Sequence, residues 1–188
     1  MDKKIEDEKA VMLIAQSSFE LWKSKDFRAL VSFEKIDQTE QDRIFNELEV
    51  TALGLLMLYS QETFSSELRD LVVNNFLNLM SGLGIEEQFI DIWRKLIAKR
   101  FEEYKKDYNE ALEVSKDMKE FKNEEKLRIT WSRIETLVID GLTHIRKGKV
   151  DEQDPLWSVL RKWLIVVDAS LIQLLKLTKL QIPQKELN

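Results

Sequence analysis

Carboxylates are the side chains here with the numbers to do chemistry: 34 Asp and Glu stand among 188 residues, beside one histidine, His144, and no cysteine. Without a thiol there is no disulfide, no Cys-ligated zinc or iron–sulfur centre and no thiol nucleophile. A single imidazole cannot supply a multi-histidine metal site or a histidine relay within one chain. Paired acids remain, because magnesium takes oxygen ligands. Two pairs have helix-facing spacing, Asp37-x-x-Glu40 and, further along, Glu67-x-x-Asp70.

The two pairs resemble the ExxE and ExxD acids of all-helical nucleotide pyrophosphatases, with Asp37 departing from that pattern in the leading position. The resemblance implies a magnesium-dependent hydrolase using Glu67 and Asp70. Against it, random placement of 34 acids in 188 positions gives about 6 acidic pairs at spacing three. Asp37 and Glu40 also straddle an expected helix start, where acids stabilise the positive end of the dipole. Capping is the favoured reading. His144 has no Glu three residues before it, so the Glu-x-x-His pair of di-iron bundles is missing; Asp140, one turn earlier, is its expected partner. We expect no catalytic, metal or cofactor residues, and no enzyme.

Asp168 sits between Val167 and Ala169 in the most apolar stretch of the last helix. Each residue turns a helix by about 100°, which lets Asp168 face solvent beside an inward Val167, and this is the favoured reading. Buried, it would need a cationic partner, Arg133 or Arg161. Trp22, Trp93, Trp131 and Trp163 fall on helix stripes, where a bulky core residue is the ordinary explanation. If a ligand cavity exists, Trp131, Trp163 and Asp168 are its candidate lining. Gly148, Asp154-Pro155 and Lys162-Trp163 resemble a spacing found in TipA-like drug-binding domains. The resemblance covers about 16 residues, lacks the rest of that pattern, and implies nothing further.

The elements that must position these groups are helices. Five Gly and 2 Pro leave too few breakers for a sandwich, a barrel or a glycine-rich nucleotide fold, while a 44% hydrophobic composition is ordinary for a folded chain. Net charge of −5 disfavours nucleic acid, and no Walker loop, Gly-x-Ser-x-Gly or zinc signature is present. The longest uncharged run, Leu71 to Ile85, contains three Asn and is too short to span a membrane. Acids near Met1 are unlike a secretory leader, and the expected location is cytoplasmic.

The punctuation predicts one all-α domain over 1–183, a bundle of six or seven helices, with 184–188 a loose tail. Met12, Ala15, Phe19 and Trp22 give the first helix a core face, widened by Val11, Ile14 and Leu21. Asp26 is the expected cap of a short second helix, and Thr39 with Asp42 of the third, about 40–62. The third helix is apolar nearly all round from Val50 to Tyr59. Neither Gly nor Pro occurs between Ile85 and Asp140, which predicts a long helix over about 86–121. Its thin seam of Phe101, Tyr104, Tyr108, Ala111, Ser115 and Met118 suits one antiparallel partner, a sixth helix capped by Asn123. The register sets Ser115 by Trp131, Tyr104 by Gly141 and Phe101 by Ile145. Asp154-Pro155 opens the last helix, antiparallel to the sixth.

Two helices with excess apolar surface make self-association the first functional expectation: a non-enzymatic protein-interaction protein that pairs with itself or another protein. The candidate contact residues are Leu55, Leu58, Tyr59, Leu171, Leu174 and Leu175. The alternative is a small-molecule-binding bundle.

Overall fold

Seven α-helices, and no strand, follow one another among the described residues. They are α1 (Lys3–Lys23), α2 (Lys25–Leu30), α3 (Gln38–Glu62), α4 (Ser66–Gly82), α5 (Glu87–Ser115), α6 (Glu125–Ile145) and α7 (Pro155–Lys179). Short 3-10 turns occupy Phe33–Lys35 and Lys119–Phe121. The computed structural model describes residues 3–62, 66–148, 150, 151 and 153–179, with the side chains of 3–7, 60–62, 66–68 and 175–179 excepted. The expected tail, 184–188, lies outside the described residues.

Capping chemistry sets most helix starts, though not always through the expected residue. Ser24, in extended conformation, accepts a hydrogen bond from the Phe27 amide at 3.3 Å and caps α2. Asp26 is already inside the first turn, where it faces the dipole instead. Asp37 accepts from the Glu40 amide at 2.8 Å at the start of α3, the role expected of Thr39. Asp154 accepts from the Leu156 amide at 2.9 Å ahead of Pro155. Gly84 and Gly148, at φ of 84° and 82°, lie just beyond the ends of α4 and α6, where a left-handed residue is needed.

The long helix is shorter than its pattern. It stops at Ser115, whose hydroxyl turns back to the Leu112 carbonyl at 3.0 Å and meets Ser132 Oγ at 3.0 Å. A seryl oxygen that bonds its own preceding turn competes with the helix ladder. The chain then reverses through Lys119–Phe121 and through Asn123, whose φ is 70°. Asn123 is therefore the left-handed hinge of the hairpin, and Glu124 holds the N-cap position with no side-chain bond. The Arg128 guanidinium on the Leu112 carbonyl at 2.9 Å helps hold the two arms antiparallel.

Helix α3 lies at the centre of the bundle. From Leu48 to Leu58 its described side chains are buried, and they pack on α1, α4, α5 and α6. Residue pairs give the directions. Glu47 meets Arg100 and Thr51 meets Tyr104, so α3 and α5 run parallel. Gly54 faces Leu137 and Thr51 faces Gly141, so α3 and α6 run antiparallel. Both glycines thus serve α3–α6 proximity. The small Gly141 accommodates Thr51, where the sequence pattern had matched it with Tyr104. Tyr104 instead fills the space beside Gly54 and is fully buried.

On α1 the inward face is Ala10, Val11, Ile14 and Ser18, while Met12 and Phe19 remain 53% and 47% exposed. The expected core face of Met12 and Phe19 is thus displaced: α3 and α7 seat against the neighbouring stripe. Trp163 of α7 donates its indole N–H to Ser17 Oγ at 2.8 Å, fixing that seat.

A methyl group at position 54 would sit 2.5 Å from Leu137 Cδ2 and 3.0 Å from the Tyr104 ring. Gly54→Ala is expected to destabilise by about 1–3 kcal/mol, as overpacking does. Gly82→Ala, with nothing within 4 Å, should leave stability unchanged or slightly raised. Urea unfolding followed by circular dichroism distinguishes the two; equal midpoints would mean that α3 and α6 separate freely.

Candidate functional site

The densest polar chemistry is buried along α3, α5 and α6. Arg100 extends from α5 onto Glu47 of α3 with two bonds, 2.7 and 3.0 Å, and onto Glu103 one turn on at 2.8 Å. Burial works against the guanidinium charge, but Glu47 and then Glu103 outweigh it and its pKa is raised. Glu103 also reaches His144 Nε2 at 3.2 Å. The imidazole is thus held from α5, not by Asp140 of its own helix. Burial, reinforced by the Arg100 charge, lowers the His144 pKa and favours the neutral ring.

Asp140 faces Asp107 across the same seam. Burial first, then the charges of Asp107 and Glu103, push its carboxyl up to about 7. One of its oxygens has no hydrogen-bond partner among the described residues. Below this, Thr51 and Tyr104 share a hydroxyl contact at 3.4 Å, and burial raises the Tyr104 pKa.

A second buried pair joins α6 to α7. Arg133 donates to Asp168 Oδ1 from Nε and Nη2 at 3.3 and 3.1 Å, with its guanidinium 3.7 Å over the Tyr59 ring. Asp168 is therefore buried and does not face solvent as expected. The α7 stripe of Leu164, Val167 and Leu171 rotates it toward α6, where a cation waits. Arg161 pairs with Glu135, and Arg146 spans Asp154 and the Leu30 carbonyl. Arg43 donates to the carbonyls of His144 and Ile145 at 2.8 Å, satisfying the end of α6.

Glu49 stands apart. It is 2% exposed, its Oε2 has no partner among the described residues, and burial raises its carboxyl to about 8. Four residues earlier, Phe45 packs on Phe19 and Trp22, so a neutral acid is set beside the aromatic contact of α1 and α3.

The three expected pocket residues occupy three places. Trp131 packs on Phe121 at the hairpin end, Trp163 bonds to Ser17 on α1, and Asp168 is consumed by Arg133. They do not line one cavity, because successive stripes of α6 and α7 face different neighbours. Of the expected contact residues, Leu55, Leu58 and Leu171 are completely buried, and Tyr59 lies under Arg133. Their apolarity is accounted for by this chain's own core. Leu174 lines a groove between α1 and α7; the Leu175 side chain lies outside the described residues.

The acid pairs also have structural employment. Arg43, and Lys147 after it, hold Glu40 down to about 2, and Asp70 pairs with Arg69 at 2.9 Å. The Glu67 side chain lies outside the described residues. Among the described residues, no three His, Asp or Glu side chains gather in a metal-binding arrangement. With acids interleaved around it, Lys99-Arg100 reads in the sequence as part of a solvated face, whereas Arg100 is buried against Glu47, a residue that no sequence motif singles out. The available signal was Arg100 lying on the stripe Ile90, Trp93, Ile97, Tyr104 and Tyr108, a charge on a core face that requires an opposite charge.

Removing one partner of a buried pair leaves the other uncompensated. Asp168→Ala should lower stability by about 3–5 kcal/mol, and the double replacement Arg133→Met with Asp168→Leu by much less, since an apolar pair of similar volume restores packing. Urea unfolding of the three proteins measures this, and equal losses would show the pair to be uncoupled. Glu49 keeps its proton in the folded chain from its ordinary 4.5 up to about 8, whereas the unfolded chain loses it at 4.5. Stability from this group is thus fully present below pH 4.5 and is lost as pH rises from there to about 8. Glu49→Gln, a neutral mimic, should raise the melting temperature clearly at pH 8, by on the order of 4 kcal/mol in stability, with a gain under about 1 kcal/mol at pH 5. A gain independent of pH would contradict this assignment.

No family model, curated protein or solved structure matches the chain.

Proposed function

We propose that this chain is a non-enzymatic helical interaction protein that associates with itself through α1. The observation that carries the reading is the apolar stripe of α1 left uncovered by the bundle. Met12 and Phe19 lie seven residues apart, two helical turns, and are about half exposed. Open grooves flank Met12 on both sides. One, of about 650 Å³, runs between α1 and α7 past Leu13 and Leu174; the other, about 370 Å³, runs between α1 and α4 past Leu79. Gln16 and Gln173 border one and Asn75 and Asn78 the other, with Glu8 at the edge of both and Lys9 beside the first. An apolar knob set between two grooves is self-complementary under a two-fold axis, since each Met12 can enter the groove of the other copy.

This reading places the contact on α1, leaving the inward leucines of α3 and α7 to the core. The non-enzymatic part draws support from the buried ionisable groups. Arg100, Arg133 and Arg161 are spent on pairs that join helices.

Sedimentation velocity between roughly 5 and 100 µM tests the proposal, with the 22.3 kDa unit as reference. The expected result is a concentration-dependent dimer that Met12→Lys weakens by at least about tenfold, without a change in melting temperature. A monomer at the top of the range, or a dimer indifferent to Met12→Lys, overturns it.

A further inference from the structure

A separate cavity opens between α4 and α5 over Met57 of α3. It encloses about 310 Å³, room for about ten non-hydrogen atoms at the ~30 Å³ that each water molecule takes in the liquid. Its floor is apolar and rigid: Met57, Leu77 and Ile97 are buried members of the core. Val73 and Phe101 form half-buried walls. A polarisable thioether beside an aromatic face adapts well to a flexible hydrocarbon chain.

The rim carries the specificity. The Arg69 guanidinium lies 4.8 Å above the Phe101 ring centroid, at the mouth of the slot. Its Nε and Nη2 both address one oxygen of Asp70 at 2.9 Å. Arg94 stands on the α5 side, paired with Asp91 at 2.9 Å. Asp70 and Asp91 each leave 61% of the side chain in water. Such exposed pairs contribute little and exchange readily for another carboxylate. Asp70 and Glu102 balance the two arginines on the lining, so the rim is neutral overall, a polyanion is not favoured, and a carboxylate reaches Arg69 by displacing Asp70.

We propose that this slot binds an amphipathic monocarboxylate of about ten non-hydrogen atoms, its apolar chain against Met57, Ile97 and Phe101 and its carboxylate on Arg69. Among the described residues the site shares no lining residue with the α1 grooves, so binding and self-association can be tested separately.

Octanoate, with a size that fills the slot, is the probe. Titrated into the full chain, it should quench or shift the fluorescence of Trp93, which packs on Phe76 one turn before Ile97, in a saturable 1:1 manner. Octylammonium, with the same chain and opposite charge, should bind at least about tenfold more weakly. Arg69→Gln should weaken octanoate by a similar factor, and Ala98→Phe, a substitution at an exposed lining position, should abolish binding by filling the space. Both variants should melt like the parent chain without ligand, which separates loss of the site from loss of the fold. The proposal is overturned by absence of saturation at millimolar octanoate, by equal binding of the two head groups, or by unchanged affinity in Ala98→Phe.

Discussion

The close approach of α3 and α6 is the constraint on which the remaining packing depends. Gly54 on one helix and Gly141 on the other remove side chains where the backbones come nearest, and Leu137 and Thr51 fill the vacated space. The two contacts are reciprocal across an antiparallel pair, so together they define both separation and register. Tyr104 then has a defined slot beside Gly54, which places α5 parallel to α3. With α6 fixed, the Arg133 guanidinium meets Asp168 of α7, and that pair helps set the height of the helix.

The buried charges act on this scaffold as register marks. A close-packed apolar interface between helices tolerates small slips at modest cost, whereas sliding α5 by one turn would separate Arg100 from Glu47 and leave two charges in the interior. The same holds for Arg133 with Asp168. Glu49 and Asp140 differ, since both answer burial by retaining a proton, and each has an oxygen without a partner among the described residues. They connect the stability of the bundle to pH, Glu49 through burial alone and Asp140 through burial and the neighbouring carboxylates.

Both proposed sites lie at the periphery of the bundle. The core covers Leu48 to Leu58 of α3 and Leu156, Leu160, Leu164, Val167 and Leu171 of α7, but it leaves Ile165, Val166, Met12 and Phe19 exposed and the slot beneath Arg69 open. One surface is the proposed association site and the other the proposed small-amphiphile site. Both arise where a helix carries more apolar width than its neighbours cover.

The all-helical class, most element positions and the α5–α6 hairpin are legible in the sequence, because periodicity, glycine punctuation and Asp-Pro caps are local signals. The inward stripe of α7, Leu156 through Leu171, is legible for the same reason. What only the tertiary structure decided is partnership. Whether Asp168 faced solvent or Arg133, whether His144 leaned on Asp140 or Glu103, and whether Met12 or Val11 pointed inward all turn on rotations of less than half a helical turn. Periodicity cannot resolve such rotations on a helix with a broad apolar face. They are determined by neighbours distant in the chain, and above all by where two glycines let α3 and α6 touch.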